Sequence, residues 1–392
     1  MILTNEQEQA LKIILNKYKN HEKYVTICGY AGVGKSTLAK FAIEALDVSP
    51  EKVAYATYTG KAAEVLRKKG NPNAMTLHKL LYDSIPRQGG GFIRIPKKTL
   101  DYDIVLIDEI SMAPKSMLEM LLKHKVFCIF MGDNFQLPQI DKNEAHDFLQ
   151  HPDIFLSTVM RQAAESEIIQ LTMKIRNGED IPFMHGKEVI VAPKAELVTG
   201  HLTWADIIIC ATNKTRHNMN SQKRELLGYS GVLQTGERII VKRNYWEDCD
   251  EDGNALVNGT VGTVTNPYES FVRIPSYIKN DRRDLPLIGC IFTPDGGKSF
   301  DTFEIDKDYL LKEEPCVDWR VSYQLGKLKP KIGDILPKQA TYGYALTCHA
   351  AQGSEFDKVL VIEESFPFDK TEHQRWLYTA ATRAAEKLVL VR

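Results

Sequence analysis

The chain lacks any apolar run near the roughly 18 residues that a membrane-crossing helix requires. Its first stretch, MILTNEQEQALKIILNKYKN, has an amphipathic helical pattern and no cleavage site. A soluble, cytoplasmic protein with no membrane partner is the expectation. It also lacks a C-x-x-C pair: seven cysteines are scattered from Cys28 to Cys348, mostly inside apolar runs such as VFCIF and IIICAT. They read as reduced core residues, which excludes a disulfide scaffold and a cysteine-rich zinc site. An excess of one charge is missing too. The 50 Lys and Arg against 51 Asp and Glu leave a formal net charge of -1, so any nucleic-acid groove must be local. No short-period repeat and no low-complexity tract occurs.

What is present is enough for two or three globular domains, since 43% of 392 residues are hydrophobic. Short β-branched runs alternate with helical patterns through the first half: YVTICGY, STLAKFAIEAL, VAYATYT, KAAEVLRKKG. That alternation predicts an α/β fold, a parallel sheet covered by helices. A second series begins at ADIIICATN and resumes at KVLVIEESF and KLVLVR. A first domain over 1–180 and a second over 181–264 and 332–392 follow. The stretch 265–331, rich in Pro, Gly, Asp and short strand-like runs, reads as a small β-rich insertion.

The strongest local signal is Gly29-Tyr-Ala31-Gly32-Val33-Gly34-Lys35-Ser36-Thr37, set between the strand YVTIC and the helix STLAKFAIEAL. Glycines there let backbone N–H groups converge on phosphates at a helix N-terminus; Lys35 reaches the β and γ phosphates and Ser36 ligates Mg2+. ATP and Mg2+ are the cofactors this pattern implies. The run YDIVLIDEISM ends an apolar strand in Asp108 and Glu109, suited to holding Mg2+ and polarising water. Gly132-Asp-Asn-Phe-Gln136-Leu-Pro138 closes another strand and offers Gln136 as a γ-phosphate sensor.

These motifs, in this order, resemble the superfamily 1 helicases of the RecD and Dda-like group, and the likeness spans nearly the whole chain. It implies two RecA-like domains, a small β-hairpin inserted in the first and an SH3-like insertion in the second. By that resemblance Gln7 contacts adenine, and Arg161 and Arg383 reach the γ-phosphate. Ala31, Gly32, Val33, Thr37, Gly353 and Glu355 join the nucleotide site. The segments around Thr57, Thr59, Lys61, Thr76, His78, Thr347 and His349 grip single-stranded DNA. The family usually carries Lys after the second histidine; here Ala350 stands there, so one phosphate contact is missing or supplied elsewhere.

A triple glycine, Gly89 to Gly91, inside SIPRQGGGFIRIP predicts a hairpin over about 84–98. Dda-like helicases project a duplex-splitting hairpin from this place, which makes Phe92 the candidate wedge, against the plain reading of a glycine loop without function. Tyr245, Trp246 and Trp319 read either as stacking platforms or as core aromatics. The expected activity is that of a monomeric 5′ to 3′ DNA helicase or translocase. Its partners would be single-stranded DNA and forked duplex, with replication or single-strand-binding proteins beside them. An RNA-directed motor and an ATP-switched binding module without unwinding are the alternatives.

Overall fold

The computed structural model describes residues 3–68, 70–71, 73–86, 92–138, 141–159, 165–249, 255–274, 276, 284–295, 297–316, 337–365 and 369–392. Internal contacts divide the chain into two compact units, one of Met1–Tyr82, Pro96–Ala211 and Thr347–Arg392, the other of Asp83–Ile95 and Thr212–Leu346. Among the described residues no helix is long and apolar enough to cross a membrane.

In chain order β1 (Tyr24–Gly29), β2 (Val53–Thr57) and β3 (Met75–Thr76) precede a hairpin of β4 (Tyr82–Pro86) and β5 (Phe92–Pro96). Then come β6 (Ile104–Ile107), β7 (Phe127–Gly132) and β8 (Ile154–Leu156). Except for the hairpin, these strands make one parallel sheet in the order β3-β2-β6-β7-β1-β8. Both faces are covered, which is why its strands are apolar throughout rather than alternating. Ile27, Ile104, Leu106 and Ile129 pack on one side with the helix Lys35–Ala45; Val105, Ile107, Cys128 and Phe130 pack on the other with Leu77, Leu118 and Leu121. Buried Cys28, Cys128, Cys210, Cys290 and Cys348 are not joined in disulfides. Burial pushes Cys128, Cys290 and Cys348 up to about 12.

A second parallel arrangement in the same unit uses β9 (Met184–His185), β10 (Val189–Ala192) and β11 (Ile207–Cys210) from the middle of the chain. The other unit follows, with β12 (Arg238–Val241), β13 (Tyr245–Cys249), β14 (Ala255–Leu256), β15 (Val261–Arg273), β16 (Asp284–Pro294), β17 (Phe300–Asp306) and β18 (Ala340–Tyr342). After β19 (Ala345–Thr347), the strands β20 (Phe356–Ile362) and β21 (Ala384–Val391) return to the first unit. Parallel pairing joins β11 to β20, β20 to β21 and β21 to β10, and β9 lies antiparallel at the edge.

In the second unit the β-rich sheet runs in the order β17-β16-β15-β12-β18, antiparallel, around Val264, Phe292, Phe303 and Ile305. It begins at Arg238 and ends at Tyr342, wider than the 265–331 stretch that composition singled out. The short run RIIV between charged neighbours gave little compositional sign of being sheet. Tyr245 is half-buried against the core of this sheet, and its hydroxyl accepts the Gln339 N–H, so it serves the core rather than a stacking surface. Trp319 lies outside the described residues.

Gly262 lets β15 pass its neighbour: a Cβ there would stand 2.3 Å from the Thr293 carbonyl oxygen and 2.7 Å from the Pro294 Cα. Because both obstacles are backbone, Gly262→Ala should lower stability by about 2 kcal/mol in urea unfolding; an unchanged midpoint would contradict this packing.

Candidate active site

Register decides which loops meet. Because the first sheet is parallel, every strand ends at one edge, and the pairs Thr57 with Thr76, Ala56 with Ile107, Ile107 with Phe130, and Cys28 with Gly132 align those ends. The segments after β3, β2, β6, β7 and β1 thus form a row, with about 4.8 Å between neighbouring strands. Ligands bind at this edge in open α/β sheets.

At the end of β1 the phosphate loop turns on two left-handed glycines, Gly32 (φ 77°) and Gly34 (φ 79°). Gly34 is the N-cap of the helix Lys35–Ala45 and brings no side chain to its open N–H groups. Gly29 is forced by space: a Cβ there would lie 2.8 Å from the Leu156 carbonyl oxygen and 2.8 Å from Val33. Lys35 folds back, its Nζ donating to the Gly29 (2.8 Å) and Tyr30 (2.9 Å) carbonyls. Ser36 and Thr37 lie in the helix's first turn. Gln7 is buried beside the loop; its Nε2 donates to the Val33 carbonyl at 3.3 Å while its Oε1 accepts the Thr4 N–H. Its amide therefore braces the loop in this state.

Asp108 follows β6 and accepts the Glu109 N–H at 3.0 Å. Glu109 has φ 52°, a left-handed conformation that costs a non-glycine residue about 1 kcal/mol and is tolerated where geometry matters to function. After β7, Gln136 is 7% exposed and its Oε1 has no hydrogen-bond partner. An unsatisfied buried acceptor is costly, so this atom is poised for a polar ligand.

Residues that the sequence reading gave no role surround that loop. Asp133, 1% exposed, accepts from Arg176 Nη1 (2.9 Å), from the Phe135 N–H (2.9 Å) and from the Tyr378 hydroxyl. Arg176 also donates to Asn134 at 2.9 Å, and its guanidinium lies 4.0 Å over the Tyr30 ring. The Leu137 N–H donates to Thr379, and Gln352 Nε2 donates to the Leu137 carbonyl, both at 2.9 Å. The β7 loop is thereby tied to the helix Lys370–Ala381 and to the segment after β19.

Arg383 is buried and donates to the Thr379 (3.2 Å) and Ser354 (3.3 Å) carbonyls and to the Thr382 hydroxyl (3.1 Å). In this arrangement it braces its own turn. Arg161 lies outside the described residues. Gly353, expected at the nucleotide, has φ 71° and abuts the segment that follows β2: a Cβ on it would sit 3.2 Å from the Thr59 hydroxyl and 3.2 Å from Ala62. Glu355 is exposed nearby in sequence.

Of the threonines expected to grip a strand, Thr59 and Thr76 cap helices. Thr59 accepts the Ala62 N–H, Thr76 accepts the Lys79 N–H, and Thr57 donates to the Thr59 carbonyl. Thr57 and Thr76 are buried. What these segments offer a phosphate backbone is chiefly the N–H groups of the helices that start at Gly60 and Leu77. Lys61 lies in the first turn of the former. His78 sits between two rings, 5.9 Å from Tyr58 and 6.2 Å from Tyr82, an aromatic group that spacing did not reveal. Thr347 precedes the turn Cys348–Ala351 without a side-chain capping bond, and in that turn His349 is half-buried and burial lowers its pKa below the ordinary 6.5. Of the hairpin, Phe92 opens β5, and the triple glycine lies outside the described residues.

A family model described as an AAA domain matches residues 2–189, and one described as a UvrD-like helicase C-terminal domain matches residues 342–391. The chain is 32% identical to the ATP-dependent RecD2 DNA helicase of Deinococcus radiodurans over 97% of its own length and 48% of that protein's. It is 30% identical to the ATP-dependent DNA helicase dda of Enterobacteria phage T4, over 45% of this chain and 43% of that one. An uncharacterized protein, R530, of Acanthamoeba polyphaga mimivirus is 31% identical over 99% of both chains. This chain thus spans less than half the length of the two named helicases. A solved structure of Pif1 helicases at forked duplex DNA covers all of this chain and 92% of its own, at 20% identity and TM-score 0.55. Pif1 from Candida albicans gives 20% identity, TM-score 0.53, and 94% of its own chain. At that identity the likeness is one of fold.

The pKa values of His146 and His349 are both lowered, in each case chiefly by burial. The unfolded chain then binds those protons more readily, so their contribution to stability is complete above the ordinary 6.5 and is lost as pH falls through the lowered folded values. The melting temperature should drop between about pH 7.5 and about pH 5.5, and the double variant His146→Gln, His349→Gln should flatten that slope. An equal slope in both proteins would contradict it.

Proposed function

The chain belongs to the superfamily 1 helicases related to Dda, RecD and Pif1, and from that we propose that it hydrolyses ATP to move 5′ to 3′ along single-stranded DNA and unwind duplex. The observation that supports this most is the common sheet edge, where the phosphate loop, Asp108 with Glu109, and the unsatisfied Gln136 share one row with the capped turns at Thr59 and Thr76. One edge then serves both nucleotide and strand.

In this reading Lys35 leaves the Gly29 and Tyr30 carbonyls for the β and γ phosphates, and the N–H groups from Gly32 to Thr37 hold their oxygens. Gln7 supplies the adenine contact. Ser36 and Asp108 are hard oxygen donors that fit Mg2+, which needs only one or two protein ligands beside phosphates and water and would neutralise phosphate charge. Glu109 accepts a proton from water as the water oxygen attacks the γ-phosphorus. The bond to the β–γ bridging oxygen breaks, leaving ADP and phosphate. Gln136 orients that water through Oε1. Arg161 and Arg383 offer planar, permanent charge to the spreading negative charge of the transition state. Arg383 must first give up its carbonyl acceptors, which makes closure a condition of turnover. Gly353 and Glu355 follow the second strand segment and carry that closure to it.

Strand contacts fall to the helix N-termini after Thr59, Thr76 and Thr347, with Lys61, His78 and His349 beside them. Grip on backbone oxygens reads no sequence. Phe92 is proposed as the wedge at the fork. We further propose a monomer acting with replication or single-strand-binding proteins. A binding module switched by ATP would need no Glu109 or motif arginines, and comparing ATPase stimulation by matched DNA and RNA oligomers separates the DNA motor from an RNA-directed one.

Lys35→Ala should abolish phosphate release, and Glu109→Gln should trap ATP with DNA binding retained; normal hydrolysis in either would sink the assignment. On forks, only a 5′ tail should support unwinding. Phe92→Ala should slow unwinding several-fold relative to ATPase, because a ring at the fork replaces stacking worth about 1–3 kcal/mol per base. An unchanged ratio of the two rates would return the hairpin to a loop without function.

A further inference from the structure

Arg176 stands where three parts of the site converge. Its guanidinium lies 4.0 Å over the ring of Tyr30, the phosphate-loop residue whose carbonyl holds Lys35 at 2.9 Å. The same fork bonds Asp133 and Asn134, in the loop that carries Gln136. Asp133 in turn accepts the Tyr378 hydroxyl, which itself accepts the Ala31 N–H of the phosphate loop at 3.4 Å. Tyr378 lies on the helix Lys370–Ala381, five residues before Arg383. Arg176 is nearly buried and the Asp133 carboxylate wholly so, which makes the pair a fixed strut and not a mobile surface contact.

Resting on the ATP-site reading above, we propose that Arg176 is a positioning residue that transmits occupancy of the phosphate loop to the Gln136 loop and to the helix preceding Arg383. When phosphates draw Lys35 from the Tyr30 carbonyl, the Tyr30 peptide is freed, and the ring stacked on Arg176 moves with it. Arg176 cannot follow without shifting Asp133, and Asp133 cannot shift without Tyr378. A planar fork is required, because one face meets the ring while two edges hold Asp133 and Asn134. Lysine keeps the charge and loses that geometry.

The test compares Arg176→Lys, Tyr378→Phe and their combination with Lys35→Ala. It measures kcat and KM for ATP with saturating oligothymidylate, and affinity for a fluorescent ADP analogue. Each single variant should cut kcat about tenfold while KM and ADP-analogue affinity stay within about twofold, and the double variant should lose no more than the worse single one. Tyr378→Phe keeps the ring and the ion pair, so it decides the matter if Arg176→Lys fails to fold. Wild-type kcat in both single variants would overturn the proposal, as would affinity losses equal to the rate loss or additive losses in the double variant. Undiminished turnover in Lys35→Ala would instead overturn the site reading beneath it.

Discussion

A buried carboxylate at the end of β7 is the constraint on which the rest depends. Asp133 is 1% exposed, and a desolvated charge of that kind persists only if fully bonded. Its partners come from the helix Glu167–Asn177 through Arg176, from its own loop through Phe135, and from the C-terminal helix through Tyr378. Removing one partner of a buried pair typically costs about 3–5 kcal/mol, so these elements hold together as a set. β7 lies beside β1 in the sheet, hence whatever holds Asp133 also holds the neighbour of the phosphate loop.

Two consequences run outward from that node. Toward the nucleotide, Lys35, Gln7 and Arg383 all have internal hydrogen-bond acceptors in this state, so ligand binding must exchange bonds rather than fill gaps. Gln136 Oε1 is the exception, an acceptor already waiting. Toward the strand, the Thr59 and Thr76 hydroxyls are used as helix caps and burial disfavours the charged form of His349. In the proposed strand site, grip falls to N–H groups, Lys61 and the rings around His78, a modest set of charges that accords with a chain of net charge -1. The proposed motor, which must let go at each step, is served by contacts of that kind.

Much of this was legible in the residues. Strand, glycine turn and helix are adjacent around Lys35, so local chemistry alone identified the phosphate loop, and β-branched runs identified the parallel sheet. The order of strands was not legible, because the insertion of β6 and β7 between β2 and β1 is a matter of crossover packing. Arg176 carries no such signal for a specific reason: in KIRNG it looks like the ordinary cation of a helix's last turn before the glycine cap at Gly178. Its acceptor, Asp133, lies 43 residues earlier. Thr59 and Thr76 each precede a helix, where the residue type that suits a phosphate grip also suits a cap, and spacing does not separate the two. The β-rich sheet extends beyond its compositional signature, since RIIV between charges is a weak strand signal.

If one sheet edge carries both the proposed hydrolytic site and the strand, occupancy of one governs the other. Steady-state phosphate release at saturating ATP and Mg2+, measured with and without single-stranded DNA, tests it most directly. Coupled sites predict a slow basal rate that rises at least about tenfold with the strand; the same rate in both conditions would contradict the account.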